Sequence, residues 1–439
     1  MLRQLAKNIL SPQNGVKKKG GEYIMTNYKR RLGTAIATVA ILANGLMPAA
    51  FASTEIVISG NGSGSDNFVN VSQSSNTSVT QNNTANVTNN VSANAKTGGN
   101  DANFNTGGDV TIDTGKASVN TTVSNTLNSN AAEVNCCNGG NTNVTVSGNG
   151  AESNNTVVLD QNTNTSVNQK NTANVHNYVD ADAKTGYNDA NSNTGGDVTI
   201  KTGNASVDAS VSTVANVNSA RVSSPQGGSN PSASFLITGN GAGSDNFIDA
   251  NLTKSTNVTQ NNYAYVKNDI DADAKTGGND ANWNTGGDVT IDTGDASVDA
   301  NVDNSVNFNF ADVNCGCTWD VLAKIAGNGA DEKGKDGNTI VLNLDSKQAV
   351  GQGNNAYLDN YLDDLDAKTG YNDANSNTGS VGDDPSVMTG NASVDSGVSN
   401  SGNVNSVGDL LPFDWPDFPS NVEFSFNFAA LWALFGLSV

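Results

Sequence analysis

The chain has 439 residues, with 22 Lys and Arg against 43 Asp and Glu, one His and a formal net charge of −21. A polyanion repels nucleic acid and anionic membrane surfaces and attracts metal cations, so no nucleic-acid partner is expected. Aromatic residues are only 6%, a polarity compatible with disorder but opposed by the ordered alternation described below.

Lys29-Arg30-Arg31, an apolar run from Ala35 to Ala43, and Ala50-Phe51-Ala52 predict a secretory signal cleaved after Ala52, with Met25 as the start. The apolar run is too short to span a bilayer as a helix. Residues 1–52 are therefore set apart as an over-extended start plus signal peptide. Without them 14 basic and 42 acidic residues remain, a net charge of −28. The chain is expected to be secreted, extracellular or on the cell surface.

From there the sequence repeats. "GNG" recurs at Gly60–Gly62, Gly148–Gly150, Gly239–Gly241 and Gly327–Gly329, in steps of 88, 91 and 88 residues. "AKTG" recurs with Lys96, Lys184, Lys275 and Lys368. The organisation is four tandem repeats, 53–140, 141–232, 233–320 and 321–409, followed by an apolar tail, 410–439. "SSPQGGSNPSAS", residues 223–234, is the clearest linker.

Each repeat carries a strictly alternating stretch, the pattern of a strand with one sheltered face. In the first repeat Val79, Gln81, Asn83, Ala85, Val87, Asn89 and Val91 share that face. The second gives Val167, Gln169, Asn171, Ala173, Val175, Asn177 and Val179. The third gives Val258, Gln260, Asn262, Ala264, Val266, Asn268 and Ile270, and the fourth Val350, Gln352, Asn354, Ala356, Leu358, Asn360 and Leu362. The opposite face drifts among Thr, Asn, Tyr, Lys, His and Asp and reads as solvent-facing. A buried, unpaired amide costs about 1–3 kcal/mol. The amides on the sheltered face are therefore expected to bond to their equivalents in neighbouring repeats, as in stacked cross-β ladders.

A second strand follows "TGGDVTI". Alternation puts Ala205, Val207, Ala209, Val211, Thr213, Ala215 and Val217 inward in the second repeat. In the third it does so for Ala296, Val298, Ala300, Val302, Asn304, Val306, Phe308 and Phe310. No amphipathic helix is evident. The expected fold is all-β, a repetitive β-solenoid or elongated stacked β-sheet with several coils per repeat. The alternative is four tandem β-sandwich modules, since about ninety residues suits an immunoglobulin-like unit.

Four patterns are candidate sites. "DANxNTGGD" supplies Asp101, Asn103, Asn105 and Asp109, then Asp189, Asn191, Asn193 and Asp197, then Asp280, Asn282, Asn284 and Asp288. Oxygen ligands at alternate positions match the first half of a calcium loop, so calcium is the one cofactor expected. The competing reading is a polar turn whose Asn and Asp cap the backbone. Asp180/Asp182, Asp271/Asp273 and Asp364/Asp366 form same-face pairs that a solvated strand also explains. Cys136, Cys137, Cys315 and Cys317 end the first and third repeats. Export favours disulfides among them without fixing the partners, and zinc with His176 is the alternative. The lysines of "AKTG" would suit an isopeptide bond only if buried, and Lys96 has outward parity.

The tail alternates at Val422, Phe424, Phe426 and Phe428, then is nearly all apolar to Val439. It is expected to cap the last repeat or to assemble with another subunit, and any membrane contact would come through it alone. One His, no nucleophile elbow and no phosphate loop predict a non-enzymatic protein.

"AKTGGNDANFNTGGDVTIDTGKASV" and its three relatives resemble the Asn/Thr/Gly-rich tandem-repeat surface proteins of bacteria. Ser75, Gln81 and Asn86 keep the Ser-x5-Gln-x4-Asn spacing of curlin, the amyloid fibre subunit, although Thr163, Lys254 and Tyr265 depart from it in later repeats. This resemblance implies fibre assembly by strand stacking. The row Thr80, Asn82, Thr84, Asn86, Thr88 resembles the flat face of β-solenoid ice-binding proteins, although Tyr263, Tyr265 and Lys267 break it. The expected function is a secreted structural or adhesive protein, a stalk, fibre or surface-layer element that associates with itself or with other surface proteins. The alternative is an extracellular module binding glycan, calcium or ice.

Overall fold

The computed structural model describes residues 53–135, 141–223, 232–314, 320–330, 337–379 and 385–408. The signal segment, all four cysteines and the tail with Val422, Phe424, Phe426 and Phe428 lie outside the described residues.

Each repeat forms four strands. The first contributes β1 (Thr54–Ser59), β2 (Asp66–Lys96), β3 (Val110–Thr114) and β4 (Ala117–Asn135). The second contributes β5 (Thr142–Ser147), β6 (Asn154–Lys184), β7 (Val198–Thr202) and β8 (Ala205–Ser223). The third contributes β9 (Ser232–Thr238), β10 (Asp245–Lys275), β11 (Val289–Thr293) and β12 (Ala296–Asn314). The fourth contributes β13 (Asp320–Ala326), β14 (Asn338–Lys368), β15 (Ser386–Met388) and β16 (Ala392–Val407).

These strands do not pair within their own repeat. They build four parallel four-stranded sheets, β1-β5-β9-β13, β2-β6-β10-β14, β3-β7-β11-β15 and β4-β8-β12-β16. Every sheet takes one strand from each repeat, so the fold is an all-β stack of rungs and not four sandwich modules. The expectation of several coils per repeat is also corrected, because one repeat is one coil. The reason is strand length: β2 and its equivalents have 31 residues each, about 100 Å of extended chain. Register is in phase along the stack, with Gln81 opposite Gln169, Gln169 opposite Gln260 and Gln260 opposite Gln352. The one slip in the long sheet is a bulge near Asp269/Asp271, where β14 carries an extra residue.

Within a coil, β2 runs out and the chain turns through a corner. The hydroxyl of Thr97 closes that corner by donating to the Gly115 carbonyl at 2.9 Å. Thr185–Gly203, Thr276–Gly294 and Thr369–Gly390 repeat the clasp. β4 then returns over β2, and the chain climbs to β5, which pairs with β1. The tight corner requires glycine. Gly98, Gly186, Gly277 and Gly370 have φ of 100°, 103°, 97° and 105°. A Cβ on Gly186 would sit 2.1 Å from the Gly277 carbonyl oxygen, so glycine is required for conformation and for inter-rung contact alike.

The interior is a thin seam of small side chains. Ile56 and Ile58 of β1 pack on Val69 and Val71. Ala117, Val119 and Val123 of β4 pack on Val91, Ala93 and Ala95 of β2, and Val110 and Ile112 of β3 close a separate corner cluster with Ala102. In the returning strands simple alternation fails once. Asn128, Asn216, Asn307 and Asn403 adopt φ of 56°, 64°, 65° and 57°, a left-handed kink that Asn tolerates better than most residues. Beyond it parity reverses. Asn218, Ala220 and Val222 are buried, while Val217 and Phe310, expected inward, are half-buried on the other face.

Candidate functional site

The most constrained chemistry in the molecule is its interior amide array. Gln169 donates to the Gln81 side-chain oxygen at 2.8 Å, Gln260 to Gln169 at 2.8 Å and Gln352 to Gln260 at 2.7 Å. Each glutamine also spends an N–H on the facing sheet, reaching the carbonyls of Ala131, Ser219, Phe310 and Ser406. The glutamines thus pin the two main sheets together while tying the rungs.

A second column runs with opposite polarity. Asn83 donates to Asn171, Asn171 to Asn262 and Asn262 to Asn354, each at 3.1 Å. Asn130, Asn218, Asn309 and Asn405 interleave from the returning strands, for example Asn83 to Asn130 at 2.8 Å and Asn130 to Asn171 at 2.9 Å. A third column joins Asn89, Asn177, Asn268 and Asn360, again with returning-strand partners Asn125, Asn304 and Asn400. Gln169, Gln260, Asn171, Asn177 and Asn268 are fully buried, which is tolerable only because each amide is satisfied.

Sequence reasoning placed Asn304 inward but missed the rest of the returning-strand half of this array. The kink residues Asn128, Asn216 and Asn307 form their own column and also reach the carbonyls of Thr172, Tyr263 and Asn355. The recurrence of Asn at a fixed offset from "TGxASV" in all four repeats was the available signal. A compensated exchange was also missed. Thr54 and Thr142 donate to Gln73 and Gln161. The third rung places Ala233 and Leu252 at those positions, so a polar pair gives way to an apolar one as a unit.

The corner residues proposed as calcium ligands lie together, but most of their side-chain oxygens serve the stack. Asn103 Oδ1 accepts the backbone N–H of Asn191, and Asn191 and Asn282 do the same for Asn282 and Asn375. Asn193 accepts from Asn105, Asn284 from Asn193, and Asp109 and Asp197 accept from the backbone N–H of Asp197 and Asp288. This is backbone capping, carried between rungs rather than within a turn. Asp101, Asp189, Asp280 and Asp373 pair in register as a carboxylate column. Burial first, and then the neighbouring aspartates, push Asp189 and Asp280 above the ordinary carboxylate range. Among the described residues no group of three or more His, Cys, Asp or Glu is placed to hold a metal ion.

The Asp pairs before "AKTG" lie on the outer face as solvated strand positions. Asp182 and Asp273 take the ammonium groups of Lys184 and Lys275 at 2.9 and 2.5 Å, and Asp366 pairs with Lys368. Asp271 is raised by burial and by Asp364, Asp273, Asp180 and Asp182. The broken Thr/Asn row carries stacked rings instead: Tyr265 and Tyr357 lie 5.2 Å apart and His176 lies 5.3 Å from Tyr265. Lys267 sits over Tyr178 and Tyr361. No protein family, curated protein or solved structure matches the chain.

Proposed function

We propose that the chain is a secreted, non-enzymatic structural protein of the bacterial cell surface that builds a stalk, fibre or surface-layer element by stacking rung on rung. The observation that carries this reading is that the array has direction and matching ends. Donation along the glutamine column runs toward the first rung, so it begins with the amide nitrogen of Gln81 and ends with the amide oxygen of Gln352. The Asn83 column runs the other way, from an oxygen on Asn83 to an N–H on Asn354. A second copy set with its first rung on the fourth rung of another meets donor with acceptor in both columns. An inverted copy opposes like with like.

Apolar residues at the fourth rung favour such a partner. Ile325, Leu344 and Val398 are 46%, 47% and 52% exposed, whereas their third-rung equivalents Ile237, Leu252 and Val302 are buried. Open parallel edges with exposed apolar side chains are templates for further strands. Secretion rests on the signal-like residues 29–52.

The test uses two exported full chains, one with Thr84→Cys and one with Asn355→Cys, mixed under mild oxidation. Both positions are exposed and share one column, so stacked copies bring them to about 4.8 Å, within disulfide reach. Cross-linked chains and fibres in negative stain are expected, with no cross-link when Tyr361→Cys replaces Asn355→Cys. A chain that stays monomeric at every concentration refutes the reading.

A further inference from the structure

The corner after each "AKTG" presents a second feature, independent of rung stacking. The residue following the corner glycine is left-handed in all four rungs, with φ of 69° at Gly99, 57° at Tyr187, 67° at Gly278 and 54° at Tyr371. That backbone favours glycine, and the first and third rungs use it. A bulky side chain at positive φ is a strained choice that asks for a compensating role. Burial is not that role, because Tyr187 is 49% and Tyr371 81% exposed. The adjoining turn repeats the pattern with Phe104 and Trp283, at φ of 60° and 55° and 78% and 63% exposed, where the other rungs carry Ser192 and Ser376. Each row of rings thus recurs at every second rung, a period of about 9.6 Å.

Between Tyr187 and Tyr371 the missing side chain of Gly278 leaves a groove of about 430 Å³, bordered by Lys275, Thr276 and Lys368. The Tyr187 ring lies against the Gly278 floor, where an added Cβ would come within 3.2 Å of it. Both ammonium groups on the border are already matched, Lys275 by Asp273 and Lys368 by Asp366. The rim therefore offers N–H donors and carboxylate acceptors in pairs at Lys275 and Lys368, with the Lys96 ammonium a further donor 5.8 Å from the centre of the Tyr187 ring. Such a rim suits hydroxyl groups better than an anion, and flat exposed tyrosines suit the C–H faces of pyranose rings.

We propose that this groove binds a neutral β-linked polysaccharide laid along the stacking direction, with Tyr187 and Tyr371 each against a sugar ring. In an extended β-1,4-linked chain successive rings turn over, so one edge and face return at every second unit. Rings offered at every second rung match that return. An α-linked, coiling glucan lacks it.

The experiment is calorimetric titration of the full exported chain with cellohexaose, chitohexaose and maltohexaose, repeated on the Tyr187→Gly/Tyr371→Gly variant. Glycine is the residue of the first and third rungs, so the variant should melt at the parent's temperature or above. The expected result is binding of at least one β-linked hexamer, none of maltohexaose, and a loss of about tenfold or more in the variant. Silence with both β-linked hexamers, equal binding of maltohexaose, or undiminished binding by a folded variant overturns the proposal. A chain that binds sugar without forming fibres supports this groove and counts against the stacking function, and the converse result separates them the other way.

Discussion

Replacing Gln169 with Leu tests what the amide array contributes. Gln169 gives N–H groups to the Gln81 oxygen at 2.8 Å and the Ser219 carbonyl at 2.9 Å, and accepts from Gln260 at 2.8 Å. Leucine nearly preserves the volume but strands three groups. Gln81, at the edge, is half-exposed and can turn to water. The Ser219 carbonyl and one N–H of Gln260 face a dry interior, at about 1–3 kcal/mol each. The expected loss is about 3–5 kcal/mol, a large share of the roughly 5–15 kcal/mol that holds an ordinary domain. At the edge, Gln81→Leu frees one buried N–H of Gln169 and the half-buried Ala131 carbonyl, so it should cost about 1–3 kcal/mol, less than Gln169→Leu. Changing all four glutamines together removes donor and acceptor at every step and leaves only the facing carbonyls, so the quadruple loss should fall below the sum of the singles. Equilibrium urea unfolding followed by circular dichroism measures all three. Equal losses at Gln81 and Gln169, or strict additivity, would show that the interior column does not hold the rungs in the manner described.

Other outcomes follow from the same geometry. Gly186→Ala forces a Cβ toward the Gly277 carbonyl at a φ of 103° and should cost about 3 kcal/mol or more, read as a drop in melting temperature. Asn307→Ala loses the bonds to Asn355 and Asn403 and keeps a left-handed backbone. It should be less stable than Asn307→Gly by about 1–2 kcal/mol in the same unfolding assay. Acid should stabilise this protein at first. Asp189, Asp271, Asp280, Asp299 and Asp303 are all raised, chiefly by burial. In the window between the ordinary carboxylate value of 3.8 and their raised values, the folded state binds more protons than the unfolded state. The melting temperature should therefore rise as the pH falls from neutral into that window, and Asp280→Asn should flatten the rise. Asp366, lowered by its bond to Lys368, opposes the trend from a part-exposed surface position. A temperature that only falls on acidification would contradict the burial assigned to these carboxylates.

The long strands were legible because two independent patterns agree on them: a period of two within each repeat and one residue order across all four. Gln81 and its equivalents could be placed inside because their parity matches Val79 and Val87. The same logic misplaced Val217 and Phe310, since the kink at Asn216 and Asn307 has a conformational cause that alternation does not encode. Asparagine there looks like any of its many neighbours. The corner oxygens carry two readings for a related reason. An Asn that accepts a backbone N–H from a residue 88 positions away has the same local spacing as one that faces a cation. Strand length, and with it the one-coil repeat, was hidden because the alternation was followed only from Val79, whereas β2 begins at Asp66.

The size of one coil also governs how the chain can acquire this structure. Nearly every bond between rungs closes a loop of 88 to 96 residues, and the conformational entropy of such closures is met before any contact rewards it. One repeat by itself has no strand partner, so a nucleus needs two complete repeats in hand. A polypeptide emerging residue by residue from an export pore would accordingly stay extended until well past its second "AKTG". Ordering would then advance coil by coil, each new length of chain laid on a template already set.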